Sequence, residues 1–178
     1  MIVVHVAIEC SEDYLTRREP HRRAHIDRLV ALRGARILVG GGPAPDGQTA
    51  DLFYRLTSPD QLPSIIEEDP YYLAQAWIRY ASRSFSQFVE PWELPPVVLD
   101  GSRRVTVVQG PADDPDMAQL ALIELRGTGR LAFGGFLDGR DTLALLRSPD
   151  PVDATTWMAE TTFWAADRLT ARPLLHVL

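Results

Sequence analysis

The amino-acid sequence predicts an α+β protein built from two copies of one βαββαβ unit, and two observations lead to this fold class. First, short motifs of the first half recur in the same order in the second half. Second, both halves alternate β-branched stretches with segments in which apolar residues recur at helical spacing. The 178 residues therefore divide into two units of about 90 residues, the size of a small domain.

Four pairs of motifs define the internal repeat. Leu-Arg-Gly at 32–34 recurs at 125–127, Gly-Gly at 41–42 recurs at 134–135, Asp-Gly at 46–47 recurs at 138–139, and Ser-Pro-Asp at 58–60 recurs at 148–150. A stretch rich in proline lies between the copies and is typical of a linker. The predicted organisation is a first unit at 1–92, a linker at 93–102 and a second unit at 103–178.

Each copy gives the same order of elements. A β-branched strand opens the copy, and a helix follows for which Gly34 or Gly127 is the predicted C′ residue. Two strands joined by an Asp-Gly turn come next, and Ser58 or Ser148, each before a proline, is predicted to cap the second helix. A fourth strand ends the copy. In the first copy the strands are expected at 2–8, 36–42, 51–57 and 79–89. In the second copy they are expected at 103–109, 130–137, 142–147 and 168–177.

The order β-α-β-β-α-β is that of the ferredoxin-like split βαβ motif, an antiparallel sheet with both helices on one face. A single unit would leave the other face of its sheet apolar and exposed to water. Two such faces packed together remove this surface from water. The duplication therefore predicts a pseudo-dimeric α/β barrel within one chain, present as a monomer of this kind or as a homodimer.

Composition excludes several classes of function. The net charge of −6 argues against a nucleic-acid partner, which needs a basic face. All 18 basic residues are arginine, so Schiff-base or lysine-base chemistry is excluded. Cys10 is the only cysteine, so no internal disulfide forms.

No apolar run reaches the roughly 18 residues of a membrane helix, and the first residues are typical of a strand rather than a signal peptide. We expect no membrane partner and a cytoplasmic location.

Four motifs of the first copy bring together residue types that carry chemistry. They are Arg22-Arg23-Ala24-His25 on the first helix, the turn Gly42-Pro43, Asp69-Pro70-Tyr71 after the second helix, and Val89-Glu90-Pro91-Trp92 at the end. In this order the motifs resemble the YCII-related family, over roughly residues 1–93. The resemblance implies a dimeric α/β-barrel enzyme with a His/Asp centre, and some members of the family act on small unsaturated or halogenated carboxylic acids. It assigns His25 and Asp69 as the matching catalytic pair.

The pair also has a physical rationale of its own. An imidazole can take and return a proton near neutral pH, and a carboxylate on its other ring nitrogen fixes the tautomer and stabilises the imidazolium. The structural alternative is a surface His25 on a helix and an Asp69 that favours the turn before Pro70. Arg22 and Arg23 are candidates to hold a substrate carboxylate through bidentate hydrogen bonds, or else are solvated helix charges.

Three further residues complete the predicted binding site for a small-molecule substrate: His5, Pro43 and Tyr71. His5 alternates with Val4 and Val6, so it faces the opposite side of the sheet and is expected toward the barrel interior, as a lining residue or as a satisfied core histidine. Tyr71 has an equally simple explanation as a packing residue.

Neither a metal nor a cofactor is predicted. His21 and His25 are four residues apart, yet no third ligand follows at a telling spacing. The glycines at 40–42 lack the lysine of a phosphate loop and the spacing of a dinucleotide fingerprint. The second copy has lost the motifs, because Ala118 and Ala159 stand where the repeat places His25 and Asp69. The sequence thus predicts one site per chain and a structural role for the second copy.

Three functions remain open at the level of sequence. The first is an enzyme of lyase, isomerase or dehalogenase type that uses the His/Asp pair on a small organic acid or enol. The second is a non-catalytic protein that binds a small molecule in the barrel. The third is an oxygenase of α/β-barrel type that works without a cofactor.

Overall fold

In the computed structural model, which describes residues 1–177, eight strands form one antiparallel sheet that curls into a nearly closed barrel. The strand order is β2-β3-β1-β4-β6-β7-β5-β8. The strands are β1 (Ile2–Cys10), β2 (Leu38–Pro43), β3 (Thr49–Leu56), β4 (Trp77–Val89), β5 (Arg104–Pro111), β6 (Leu131–Leu137), β7 (Asp141–Leu146) and β8 (Thr170–Leu175).

The two outer strands of this order meet and almost close the barrel. The amide nitrogen of Val177, just after β8, donates to the carbonyl oxygen of Gly41 on β2 at 3.2 Å. A Cβ atom on Gly42 would lie 1.9 Å from the carbonyl oxygen of Leu175. Glycine is therefore required where β2 approaches β8, since any side chain would push the strands apart.

Helices cover the outer face of the sheet. They are α1 (Tyr14–Arg18), α2 (Arg22–Gly34), α3 (Leu62–Glu67), α4 (Pro70–Leu73), α5 (Pro115–Gly127) and α6 (Pro151–Ala159), with short 3-10 turns at Glu19–His21, Pro59–Gln61 and Ala166–Arg168. None of the helices in residues 1–177 has the length and apolar character needed to cross a membrane.

The predicted helix ends need two corrections. Gly34 is the last residue of α2 and not its C′ residue, because the left-handed conformation falls on Arg36, with φ of 60°. Gly127, predicted for the same role, is likewise the last residue of α5, and the left-handed conformation falls on Gly129, with φ of 78°. Ser148 does not cap α6. Asp150 does so by accepting a hydrogen bond from the amide of Val152, since the helix begins two residues later than predicted.

The two halves of the chain have the same strand order. The first half forms β2-β3-β1-β4 and the second half forms β6-β7-β5-β8. Strands β4 and β6 join them, with Phe85 opposite Leu137 and Ser86 opposite Phe136. The halves therefore share one continuous sheet, in place of two separate sheets in contact.

Three apolar clusters hold the fold together. One lies between the helices and sheet of the first half, and a second lies in the corresponding place in the second half. The third fills the barrel and draws on both halves, with Val39, Phe53, Phe85, Val105, Val107, Ala132, Phe133, Leu137, Leu143, Leu145 and Leu174. Along β1, Val4, Val6 and Ile8 face the helices, while His5 faces the barrel interior.

Candidate active site

His25 and Asp69 meet beneath the helices of the first half. His25 lies on the buried face of α2, and Asp69 immediately precedes α4. His25 Nδ1 donates to Asp69 Oδ1 at 2.8 Å, and the two residues are only 5% and 1% exposed. The same carboxylate oxygen accepts the amide of Tyr71 at 2.9 Å, so Asp69 also caps α4. The predicted contact between the two residues is thus present, and its catalytic role stays a prediction.

The pairing determines which nitrogen of His25 is available. An ionised carboxylate only accepts hydrogen bonds, so Nδ1 carries the proton and the lone pair of neutral imidazole is on Nε2. Within residues 1–177 Nε2 has no hydrogen-bond partner, and the His25 side chain lines a cavity of about 260 Å³. Tyr71 stacks on the ring at 3.7 Å between centroids, and the edge of Trp77 meets it at 5.1 Å. These rings fix the orientation of the imidazole.

Elements from both halves and the linker form the cavity. Pro43 on β2 and Leu52 on β3 provide part of one wall, and Leu175 at the end of β8 extends it. The linker crosses beside α2, where Arg22 Nη2 donates to the carbonyl oxygen of Leu99 at 3.5 Å. The amide of Val98 also donates to the carbonyl oxygen of Val177 at 2.9 Å. The linker therefore encloses the cavity as well as joining the two halves.

Two polar side chains beside the cavity escaped the sequence analysis. Arg18 lies over the ring of Tyr14 at 5.0 Å, and its Nε is buried without a partner among the described residues. The indole Nε1 of Trp77 is likewise buried and unpartnered in this part of the chain. Buried donors are rarely left unsatisfied, so both are candidates to meet a ligand. The four-residue spacing of Arg18 and Arg22 was the available signal for Arg18.

The predicted site residues do not all reach this cavity. Arg22, Pro43 and Tyr71 line it. The Arg23 side chain is 95% exposed and lies 3.9 Å from Asp27, so its predicted role in substrate binding is not supported by its position. A helix turns by 100° per residue, which places Arg22 and Arg23 on different faces.

The two other histidines of the first half lie outside this cavity. His5 does not join His25, because it lies in the barrel interior on the opposite face of the sheet. His21 is exposed at the end of a 3-10 turn. Residues 1–177 contain no group of three or more His, Cys, Asp or Glu side chains placed so that they could hold a metal.

Burial keeps the ionisable hydroxyl and thiol groups around the cavity protonated. It raises the pKa of Tyr14 and of Tyr71, and it raises the pKa of the Cys10 thiol to about 12 despite the nearby Arg18. A thiol of this kind is not a nucleophile at neutral pH. The phenols can donate hydrogen bonds to a ligand but cannot act as bases.

Inside the barrel, His5 belongs to a second buried polar cluster. Its Nε2 donates to Asp51 Oδ1 at 2.7 Å, and Arg172 on β8 donates to both oxygens of the same carboxylate at 2.7 and 3.1 Å. Burial alone would raise the pKa of Asp51, but the hydrogen bonds from His5 and Arg172 and their charges outweigh it and lower the pKa to about 2. The cluster links strands of the first half to the last strand of the second.

The lowered pKa of Asp51 predicts a specific dependence of stability on pH. The folded-state value lies below the ordinary value of 3.8, so the contribution is complete above about pH 4 and is lost as the pH falls toward 2. The shift corresponds to about 2 kcal/mol. Between about pH 4 and pH 2, we expect the free energy of unfolding, measured with urea, to fall in both the wild type and Asp51→Asn. The fall in the wild type should be larger by about 2 kcal/mol. The exposed Asp27→Asn is the control, and parallel curves for the wild type and Asp51→Asn would contradict the prediction.

In the described part of the second half, residues 103–177, the His25 site has no counterpart. Ala118 is the fourth residue of α5, as His25 is of α2, and it is fully buried. Phe136 and Trp164 are buried beside it in the apolar cluster of the second half, and Trp157 and Phe163 pack against them. Large apolar side chains therefore occupy the region that corresponds to the His25 cavity of the first half.

Comparison with known proteins gives the fold and no sequence family. No family model matches the chain, and no curated protein matches it in sequence. Among solved structures, a protein provisionally assigned as a monooxygenase from Lactobacillus acidophilus NCFM matches with a TM-score of 0.63 and 9% identity, over 100% of this chain and 95% of that chain. Another with the same provisional assignment, from Fusobacterium nucleatum, matches with a TM-score of 0.58 and 8% identity, over 99% and 92%. The fold of this chain is similar to that of dimeric α/β-barrel proteins.

Proposed function

We propose that this chain is an enzyme in which His25 acts as a general base and then as a general acid on a small organic acid. One observation carries the proposal: His25 Nδ1 is bound by the buried carboxylate of Asp69, while the ring faces a cavity lined by arginines. A histidine held in this way has the tautomer, the orientation and the charge partner that proton transfer needs.

The chemistry follows from the free Nε2. This nitrogen takes a proton from an enol hydroxyl or from a carbon that is acidified by a neighbouring keto group or by the carboxylate, directly or through a conjugated double bond. Asp69 stabilises the imidazolium that forms. The electron pair left on the substrate then moves in one of two ways. It accepts the proton back at another carbon, which is isomerisation, or it expels a leaving group such as halide, which is elimination. In both cases the proton passes through Nε2.

The walls of the cavity favour a compact unsaturated carboxylate. Arg18 and Arg22 can meet a carboxylate group, and guanidinium pairs strongly with carboxylates. Leu29, Leu52 and Trp77 give the rest of the cavity an apolar surface. The volume of about 260 Å³ is just below the range of roughly 300–1,000 Å³ found for pockets that bind drug-sized ligands. The substrate is therefore small.

The same proposal includes a tandem duplication of a YCII-like ferredoxin-like unit, with units at 1–92 and 103–178 and a linker at 93–102. The equal strand orders of the two halves support it, as do helices α2 and α5, which have 13 residues each. The left-handed residues Arg36 and Gly129 support it further, because they are 93 positions apart, the offset of the repeat at this point. Only the first unit retains the site, so we propose one active site per chain.

The second candidate is a protein that binds the same acids without turning them over. The observation in its favour is the double role of Asp69, which caps α4 as well as holding His25. A capping aspartate has a structural explanation that needs no catalysis. Hydrogen exchange distinguishes the two candidates.

The test is to incubate the protein in D2O with crotonate, 3-chloroacrylate and pyruvate, which represent unsaturated, halogenated and enolisable acids. We expect at least one acid to exchange carbon-bound hydrogen for deuterium, or to release chloride, at a rate proportional to enzyme concentration. NMR measures exchange and binding in one sample. Binding without exchange or chloride release would support the second candidate. If none of the three acids binds or is turned over, the proposed substrate class is refuted.

The chain offers a matched control for carboxylate recognition. Arg22→Gln should weaken binding of the acid, because Arg22 lines the cavity, whereas Arg23→Gln should not, because Arg23 faces solvent. Loss of a hydrogen bond to a charged group costs about 1.5–3 kcal/mol, or roughly tenfold or more in affinity. Equal effects of the two substitutions would place the acid elsewhere.

A further inference from the structure

A second and larger cavity opens at one end of the barrel. Its volume is about 650 Å³, within the range of roughly 300–1,000 Å³ usual for ligand pockets. It lies on the opposite face of the sheet from the His25 cavity, since on β3 the side chain of Asp51 faces this cavity while Leu52 faces the other. The packed side chains of the barrel core, including Leu137, form its floor.

Six polar side chains form a hydrogen-bonded ring at this end of the barrel, and five of them line the cavity. His5 binds Asp51, and Asp51 binds Arg172. Arg172 Nη1 donates to Gln109 Oε1 at 3.4 Å, and Gln109 Nε2 donates to Asp141 Oδ2 at 2.8 Å. Arg83 Nη1 donates to the same oxygen at 3.4 Å and stands opposite His5 in the register of β1 and β4. The ring takes one residue from each of six strands: Asp51, His5, Arg83, Asp141, Gln109 and Arg172.

Stability alone does not explain such a ring. The Asp51 carboxylate is buried, and taking a charged group out of water costs free energy, which an apolar side chain of similar volume would avoid. The adjacent layer of the barrel is entirely apolar, with Phe53, Phe85 and Leu143. The change from a packed apolar layer to a polar ring around open space is the pattern of a binding pocket.

The ring has hydrogen-bond donors to spare. A guanidinium has five N–H donors. Arg172 uses three of them, on Asp51 and Gln109, and Arg83 uses two, on Asp138 and Asp141. The remaining N–H groups of both arginines lack a protein acceptor among residues 1–177. The carboxylate of Asp51, by contrast, already accepts from three donors.

We propose that the mouth of the barrel is a binding site for a small organic carboxylate, separate from the His25 site. The spare N–H groups of Arg83 and Arg172 hold the carboxylate, and the His5–Asp51 pair fixes the position of Arg172. A carboxylate suits this site because it supplies acceptors where donors are in excess and pairs bidentately with guanidinium. The site draws on both halves of the chain, so neither half contains it alone.

Histidine ring NMR of the whole protein tests the proposal. The probes are acetate, malonate, succinate and benzoate, with succinamide as the uncharged counterpart of succinate. The ring signals of His5 and His25 are assigned from His5→Gln and His25→Gln. We expect at least one acid to shift the His5 signal to saturation, and we expect succinamide to have no effect. The shift should persist in His25→Gln, because that residue belongs to the other cavity.

Arg83→Gln tests the role of the ring without removing the ion pair of Asp51 and Arg172. Arg83 is partly exposed, so the variant should fold, which a thermal melt confirms. We expect it to weaken the response of His5 by roughly tenfold or more. The proposal is overturned if none of the four acids shifts His5, if succinamide acts as succinate does, or if Arg83→Gln leaves the affinity unchanged.

Discussion

Replacing His25 by glutamine is expected to lower kcat by a factor of roughly 10² to 10⁴ on the acid identified by hydrogen exchange, the usual contribution of general acid–base catalysis. KM should change little, because Arg18 and Arg22 remain in the cavity. Asp69→Asn should also lower kcat, because asparagine can still cap α4 but cannot stabilise the imidazolium. Steady-state kinetics across the three proteins measure both effects.

His21→Gln is the matched control for His25→Gln. His21 lies four residues earlier and is exposed at the start of the same helical region, so its replacement should leave both kcat and thermal stability unchanged. Thermal melts separate catalysis from folding. A His25→Gln protein that melts far below the wild type yet keeps full activity would show that His25 is a structural residue.

Sequence reasoning predicted the order of elements because both signals it used are local. The repeat and the hydrophobic periodicity place all eight strands, and the barrel-like antiparallel α+β fold is confirmed. The details that failed depend on backbone geometry within a turn. Gly34 is the predicted C′ residue of α2, yet it is the last helical residue, and Arg36 takes the left-handed conformation of the C′ position. Ser148 and Asp150 each precede a proline, and the sequence alone does not show that Asp150 is the residue that caps α6.

The candidate site shows the same division between local and distant information. The sequence singles out His25, Pro43, Asp69 and Tyr71 because short motifs contain them, and the structure places them at or beside one cavity. The polar ring of the barrel was not, because its contacts join residues far apart in the chain. Arg172 and Asp51 are separated by 121 positions, and their contact depends on how the barrel closes. Charge and residue type alone do not reveal such a pairing.

Truncating Trp164 to alanine is expected to cost about 3–5 kcal/mol of unfolding free energy, the usual range for a buried Trp or Phe. Trp164 is 2% exposed within the apolar cluster of the second half. Its Nε1 donates to Thr142 Oγ1 at 2.7 Å, and Thr142 is fully buried. The substitution therefore leaves a cavity and removes a partner from a buried hydroxyl, and both effects act in the same direction.

Trp92→Ala is the control, because Trp92 is 68% exposed and its main contact is Arg126 over its ring at 5.1 Å. An exposed cation–π contact contributes about 0.5–1 kcal/mol, so this variant should remain close to the wild type. Urea unfolding followed by far-UV circular dichroism is the right measurement, since removal of a tryptophan changes fluorescence directly. If the second half serves as scaffold, Trp164→Ala should keep the hydrogen-exchange activity of the His25 site under conditions where it is folded. Equal losses of stability in the two variants would contradict the role of Trp164 as a core residue of the second half.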